Sequence, residues 1–327
     1  MQAGDTIRLQ RGQYELRERL AGSSYGVAWR ARGPGHEAVL KLVNREQMQQ
    51  ARPEQRAHWV GTARTEIAFL RSLSPWDGRH IVRLLDSGEH EGLPVAALER
   101  LDCDLARHMD DLRGRGEKPS FAQALDWLGQ VNQALARVHQ YGWRHLDLKP
   151  GNLLLDASRS SIRLADFGTN RLLSERDPHP YAGTANWQAP EQYFPAAGDG
   201  FHTDARTDYF AMGALFFYLV TGGAALRFCT ECGDAYRAHR GDGPAAVLAR
   251  HGGALPPTLH EDEAARFAGE AARGNAGAGD HALALLRALT HADRAQRPRH
   301  ALDISRMIAA ARAADRADAH AAPRWRM

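Results

Sequence analysis

His145-Leu146-Asp147-Leu148-Lys149-Pro150-Gly151-Asn152 is the run on which the reading of this chain turns. Two shorter runs follow it in order, Asp166-Phe167-Gly168 and Ala189-Pro190-Glu191. Just before it, residues 121–141 carry Leu125, Leu128, Val131, Leu135 and Val138 at helical spacing, which predicts a helix packed on a core. Farther upstream the pattern is strand-rich, with β-prone runs at 14–20, 26–32, 38–43, 81–87 and 94–99. One helix is predicted among them over 64–73, where Ile67, Leu70 and Leu73 form a stripe with Glu66 beside it. Downstream, 210–220 is the most apolar stretch, about half the length a bilayer span needs, and reads as a buried core helix. Gly-, Pro- and Ala-rich sequence from 222 to 280 interrupts the helical half, and its 269–280 part reads as a surface loop. Closing helices are predicted over 282–290 and 301–312.

At 327 residues and 43% hydrophobic content, the chain can bury the core of one large domain or one domain of two lobes. Its net charge of +3 comes from 42 basic and 39 acidic residues with no long single-sign run. Nothing in that balance suggests a nucleic-acid or anionic-membrane partner, and no membrane span is expected. Three cysteines, Cys103, Cys229 and Cys232, are too few for a disulfide framework, and the start lacks a basic-then-apolar leader. Both features point to the cytoplasm. Arginine dominates so heavily that Lys41, Lys118 and Lys149 are the only lysines. A position that is still lysine is a candidate for one that needs an ammonium on a flexible stem.

Phosphoryl transfer from a nucleotide needs a cover over the phosphates, a cation on them, metal-binding oxygens and a group that orients the attacking hydroxyl. The 145–152 run resembles the catalytic loop of the protein kinase family, Asp166-Phe167-Gly168 its metal-binding triplet, and Ala189-Pro190-Glu191 the end of its activation segment. Each specified residue lowers a chance match by roughly twentyfold, so three ordered motifs exclude coincidence. The resemblance covers about 13–312 and is closest to the bacterial, eukaryotic-like serine/threonine branch. It implies an α+β kinase domain over 1–313 with ATP in a cleft between two lobes, and a flexible tail over 314–327. The first lobe, about 13–101, would hold a five-stranded antiparallel sheet and one helix; the second, about 102–313, would be mainly helical.

By that resemblance Asp147 orients or accepts the substrate hydroxyl proton, Lys149 steadies the transferred phosphate, and Asn152 and Asp166 hold Mg2+ or Mn2+. Ala38-Val39-Leu40-Lys41 looks like the strand whose lysine contacts the α- and β-phosphates, with Glu66 as its helix partner. At about one lysine per hundred positions, lysine at both 41 and 149 has a chance near one in ten thousand. The phosphate-covering loop would run from Leu20 through Ala21, Ser23, Ser24 and Gly26, with Ala21 and Ser23 replacing two glycines of the family pattern. Side chains there crowd the backbone approach to phosphate. Ala28 and Val39 would cover adenine from above and Leu154 from below, with Glu99 and Leu101 offering backbone bonds and Asp104 near the ribose. Lys149 two residues after Asp147, and Thr184 ahead of Ala189, resemble the branch that phosphorylates serine and threonine of protein substrates and is able to autophosphorylate. Asp208 and Arg297 match structural anchors, the second pairing with Glu191.

Two other readings compete. A non-catalytic scaffold of the same fold is favoured only by Ala21 and Ser23. A small-molecule phosphotransferase shares the catalytic loop but is not expected to carry the 183–191 segment. Cys229-Thr230-Glu231-Cys232 has zinc-ligand spacing, yet no second cysteine pair follows it. The protein substrate and oligomeric state are not encoded in any of these motifs.

Overall fold

The computed structural model describes residues 1–22, 26–196, 200–273 and 276–319. The chain divides into two units, Met1–Asp102 with Ala165–Asn170, and Cys103–Leu164 with the chain from Arg171 onward.

The first unit is built on β1 (Thr6–Arg8), β2 (Gln13–Gly22), β3 (Gly26–Arg32), β4 (Glu37–Val43), α1 (Arg45–Gln50), α2 (Pro53–Ser72), β5 (Leu84–His90) and β6 (Leu93–Glu99). Its strands pair antiparallel in the order β1-β2-β3-β4-β6-β5. The sheet therefore has six strands where five were expected. Three residues are too short a run to show alternation in sequence, but Ile7 is buried between exposed Thr6 and Arg8 and pairs with Tyr14. A core of Ile7, Tyr14, Leu16, Trp29, Ala31, Leu40, Val95 and Ala97 lines one face. In β4, Ala38, Leu40 and Leu42 point into buried surroundings, so the period of two turns Val39 and Lys41 to the opposite face. Helix α2 begins eleven residues before its expected start. Its first six residues are all exposed and carry no apolar stripe; Pro53 at the first turn and the Gln55 bond to the Arg52 N–H start it instead.

The second unit contains β7 (Cys103–Asp104), α3 (Leu105–Gly114), α4 (Phe121–Gln140), β8 (Trp143–Arg144), β9 (Leu153–Leu155), β10 (Ile162–Leu164), β11 (Arg171–Leu172), α5 (Pro190–Tyr193) and α6 (Ala205–Val220). After these come α7 (Arg227–His239), α8 (Gly243–Arg250), α9 (Glu261–Ala271), α10 (Ala276–Leu289) and α11 (Ala301–Ala319). Small sheets join β10-β9-β7 and β11-β8. Every residue of α6 from Thr207 on is buried, as the unbroken apolar run requires.

Two expectations are corrected here. The 222–280 region is largely helical, and the stretch read as a loop holds the end of α9 and the start of α10. Small residues there allow close packing: a Cβ at Gly279 would lie 2.8 Å from the Ala268 carbonyl, and Ala271 and Ala278 are buried. Residues 314–319, expected in a flexible tail, instead continue α11 to Ala319, and the rest of that expected tail lies outside the described residues. Alanine favours that extension, Ile304, Ile308 and Ala311 bury one face, and Arg312 pairs with Asp126 at 2.6 Å. Cys229 and Cys232 are buried on α7. No helix among the described residues is long and apolar enough to cross a membrane.

Candidate active site

In the first unit, Lys41 stands in a row of alanines across the sheet, with Ala21 opposite Ala28, Ala28 opposite Lys41 and Lys41 opposite Ala96. Small neighbours leave its stem room to reach two carboxylates. Lys41 Nζ donates to Glu66 Oε2 at 2.7 Å and to Asp166 Oδ1 at 2.6 Å. Glu66 is buried on α2, and its second oxygen accepts the Phe167 N–H at 3.3 Å. Asp166 adopts φ 61°, and its side chain remains 44% exposed. The Phe167 ring anchors the turn against Phe69 with centroids 4.6 Å apart. Burial alone would lower the Lys41 pKa, but the charges of Asp166 and Glu66 outweigh it and hold the ammonium above its ordinary range. For Glu66, burial pushes the carboxyl up, Lys41 pulls it down and Asp166 adds to the rise, with a net upward shift.

In the second unit, the 145–152 loop is organised around two carboxylates. Asp208, buried at the start of α6, accepts the backbone N–H groups of His145 at 2.9 Å and Leu146 at 2.7 Å, and meets His139 Nε2 at 2.9 Å. Burial would raise its pKa; the bonds and charge from His139, with the His145 N–H, hold it below the usual carboxylate range instead. Asp147 is 7% exposed. Its Oδ2 accepts from Lys149 Nζ at 2.9 Å and from Asn152 Nδ2 at 3.0 Å, while its buried Oδ1 has no partner among the described residues. Lys149 also donates to the Thr184 hydroxyl. Asn152 makes a second bond to the Asp147 carbonyl at 2.8 Å.

The segment after Arg171 is tied to this loop. Gln192 Nε2 donates to the carbonyls of Leu146 at 2.8 Å and Ala182 at 3.2 Å, and Gln188 holds Ala182 O and the Tyr181 hydroxyl. Gly183 adopts φ 102°, and a Cβ there would meet Leu146 O at 2.7 Å. Farther along, Arg297 grips both Glu191 oxygens at 2.7 and 2.9 Å.

The remaining candidates are distributed as follows. Ala28 and Val39 share the Lys41 face of the sheet. Leu20 is 47% exposed and Ala21 exposed on β2, and Gly26 begins β3. Ser23 and Ser24 lie outside the described residues. The Glu99 carboxylate accepts from the Arg83 N–H and Nε, each at 2.9 Å, and Leu101 is half-buried. Asp104 accepts the Arg107 N–H at 2.9 Å as the N-cap of α3. Leu154 is half-buried between buried Leu153 and Leu155. Sequence reasoning gave no structural role to Gln192, Gln188, His139 or Arg144, although Gln188 and Gln192 flank Ala189-Pro190-Glu191 and Arg144 directly precedes His145.

No group of three or more His, Cys, Asp or Glu side chains among the described residues is arranged to hold a metal ion. Asp166 in the first unit and Asn152 in the second carry the donor type that magnesium takes. Each offers hard oxygen, and magnesium characteristically takes one or two protein ligands with phosphate and water completing its shell.

Comparison with known proteins agrees with this chemistry. The sequence model of the family described as "Protein kinase domain" matches residues 14–302. Cyclin-dependent kinase F-4 of Oryza sativa subsp. japonica is 28% identical over 212 residues, 64% of this chain. The chain spans 42% of that rice protein's length.

Proposed function

The chain belongs to the protein kinase family, and from that membership we propose that it transfers the ATP γ-phosphate to serine and threonine hydroxyls of protein substrates, with Mg2+ or Mn2+. The observation that carries the proposal is Asp147. Its Oδ2 is saturated by Lys149 and Asn152, whereas Oδ1 is buried with no partner among the described residues. A buried carboxylate oxygen left unpaired is costly unless a ligand completes it. A substrate hydroxyl donating to Oδ1 would do so, and would be oriented for attack as its proton passes to that oxygen. Lys149, held between Asp147 and Thr184, would neutralise charge on the transferred group. Lys41, fixed by Glu66, would do the same for the nucleotide phosphates. Asp166 and Asn152 would hold the metal, which when bound neutralises phosphate charge.

Serine/threonine specificity is supported by the Lys149–Thr184 bond, and the rice relative is named a cyclin-dependent kinase. Gln192 after Ala189-Pro190-Glu191 favours the bacterial-type branch, and three cysteines, too few for a disulfide framework, favour the cytoplasm. The assembled Lys41–Glu66 pair argues against a scaffold without catalysis, and the anchored 183–191 segment against a small-molecule substrate. The test is incubation with labelled ATP and a lysate of the source cells, followed by phosphosite mapping. Label on serine and threonine is expected from the parent and not from Asp147→Asn. Label confined to tyrosine, or to small molecules, would overturn the assignment.

A further inference from the structure

Arg144 is a buried cation with no carboxylate bonded to it, the charges of Glu175, Asp208 and Asp204 acting on it only from a distance. It is 1% exposed, and none of its partners among the described residues is a carboxylate. Nη1 donates to the Leu172 carbonyl at 2.6 Å and to the Glu175 carbonyl at 3.3 Å, Nη2 to Glu175 O at 3.4 Å, and Nε has no partner. Burial lowers its pKa, with Glu175 opposing and Arg171 adding to the fall. Placing a guanidinium here is therefore unfavourable beside an apolar side chain of similar volume.

Strand pairing does not require it. Arg144 already faces Arg171, and Trp143 faces Leu172, in the β8–β11 ladder. What the guanidinium adds is a grip on the turn that follows, where Glu175 N–H closes on Leu172 O at 3.1 Å and Leu173 N–H reaches Gly142 O at 2.7 Å. Two residues later Leu146 precedes Asp147, buried and apolar, and offers nothing to an anion. The segment between Arg171 and Glu191 thus receives bonds to its backbone from the Arg144 side chain at one end and the Gln192 side chain at the other.

We propose, building on the kinase reading, that Arg144 is a positioning residue that orders this segment beside Asp147 through direct bonds to its carbonyls, so that no phosphate on the segment is needed. A planar fork matches two carbonyls at once, which explains why a buried arginine is kept where no acid pairs with it.

The test uses the full chain after phosphatase treatment, as parent, Arg144→Met, Arg144→Lys and Asp147→Asn. The parent should transfer phosphate to a peptide. Arg144→Met should lose about tenfold or more in peptide kcat/KM, while nucleotide Kd stays within about twofold. Amide exchange at Leu173 and Glu175 should accelerate in that variant and stay unchanged in α4. Arg144→Lys should recover part of both, because an ammonium can still donate to a carbonyl. Parental rate and exchange in Arg144→Met would overturn the proposal, as would a treated parent that regains activity only when phosphorylated. Should Arg144→Met not fold, parental rate and exchange in Arg144→Lys would overturn it. A parent inactive in every state, like Asp147→Asn, would count against the kinase reading; exchange at Leu173 and Glu175 would still decide the role of Arg144.

Discussion

The Asp208 carboxylate accepts the Leu146 N–H at 2.7 Å while Leu146 stands at φ 65°, a conformation that leucine adopts only under constraint. The same carboxylate takes the His145 N–H, so two consecutive amides are fixed one residue before Asp147. Asp208→Asn keeps the shape but loses an acceptor. It should destabilise the fold by about 3–5 kcal/mol, as breaking a buried charged network does. Because its folded pKa is depressed, the stability Asp208 contributes is fully present above the unfolded value near pH 4, and is lost as pH falls through the lower folded value. The gap in melting temperature between parent and variant should be constant above about pH 5 and shrink below about pH 4. A gap that widens on acidification would contradict the assignment.

Lys41→Met and Asp166→Asn should each leave a folded protein with almost no phosphotransfer. Lys41 Nζ bridges Glu66 and Asp166, so the methionine variant leaves a buried carboxylate. Burial already pushes the Glu66 carboxyl up, and without Lys41 it is expected to take a proton rather than unfold the unit. Melting temperature and transfer rate, measured on the same samples, should separate. Parental transfer in both variants would remove the role given to Lys41.

Asp147→Asn should lower turnover by roughly a hundredfold to ten-thousandfold, the usual worth of a positioned general base. The amide can still accept from Lys149, so the loop should hold. Nucleotide Kd should be near parental, placing the loss in the chemical step rather than in binding. A loss of nucleotide affinity equal to the loss of turnover would place Asp147 in binding instead.

Legibility in sequence followed the amount of local pattern each element carries. Strand β3 has the expected bounds of 26–32, and α4 is one residue shorter than its expectation, because both show clean periodicity between turn signals. Strand β1 was invisible: three residues cannot display alternation, and Ile7 gains its meaning only opposite Tyr14. The end of α9 and the start of α10 were mistaken for a loop because small residues signal turns in composition but close contact in packing. At the site, Lys41, Glu66 and Asp166 were proposed together through family resemblance, and the structure brings their side chains into contact. Gln192 and Arg144 escaped because their partners are backbone carbonyls, Leu146 and Ala182 for one and Leu172 and Glu175 for the other. A carbonyl acceptor leaves no trace in residue type.

The last prediction concerns Ser174, Tyr181 and Thr184, the hydroxyls between Arg171 and Ala189. Tyr181 donates to Gln188 Oε1 at 2.5 Å, and its ring stacks on Tyr236 with centroids 4.5 Å apart. Thr184 is held by Lys149. Both hydroxyls are engaged in ordering the segment, while Ser174 is exposed. Tyr181→Phe should cost about 0.5–1.5 kcal/mol, the net worth of one hydrogen bond. Thr184→Ala should reduce peptide transfer by freeing Lys149, and Ser174→Ala should leave rate and melting temperature within error. Phosphate added during autophosphorylation should accumulate on Ser174 first. Beside Asp147 it would find Leu146, which cannot receive it as a guanidinium would. Initial rates of phosphatase-treated and fully autophosphorylated protein should therefore agree within about threefold. Leu146→Arg, measured alongside, should make the rate respond to phosphorylation. A rise of about tenfold in the Leu146 protein, about 1.4 kcal/mol of transition-state stabilisation, would show that another basic group receives the phosphate and that the segment is not ordered by backbone contacts alone.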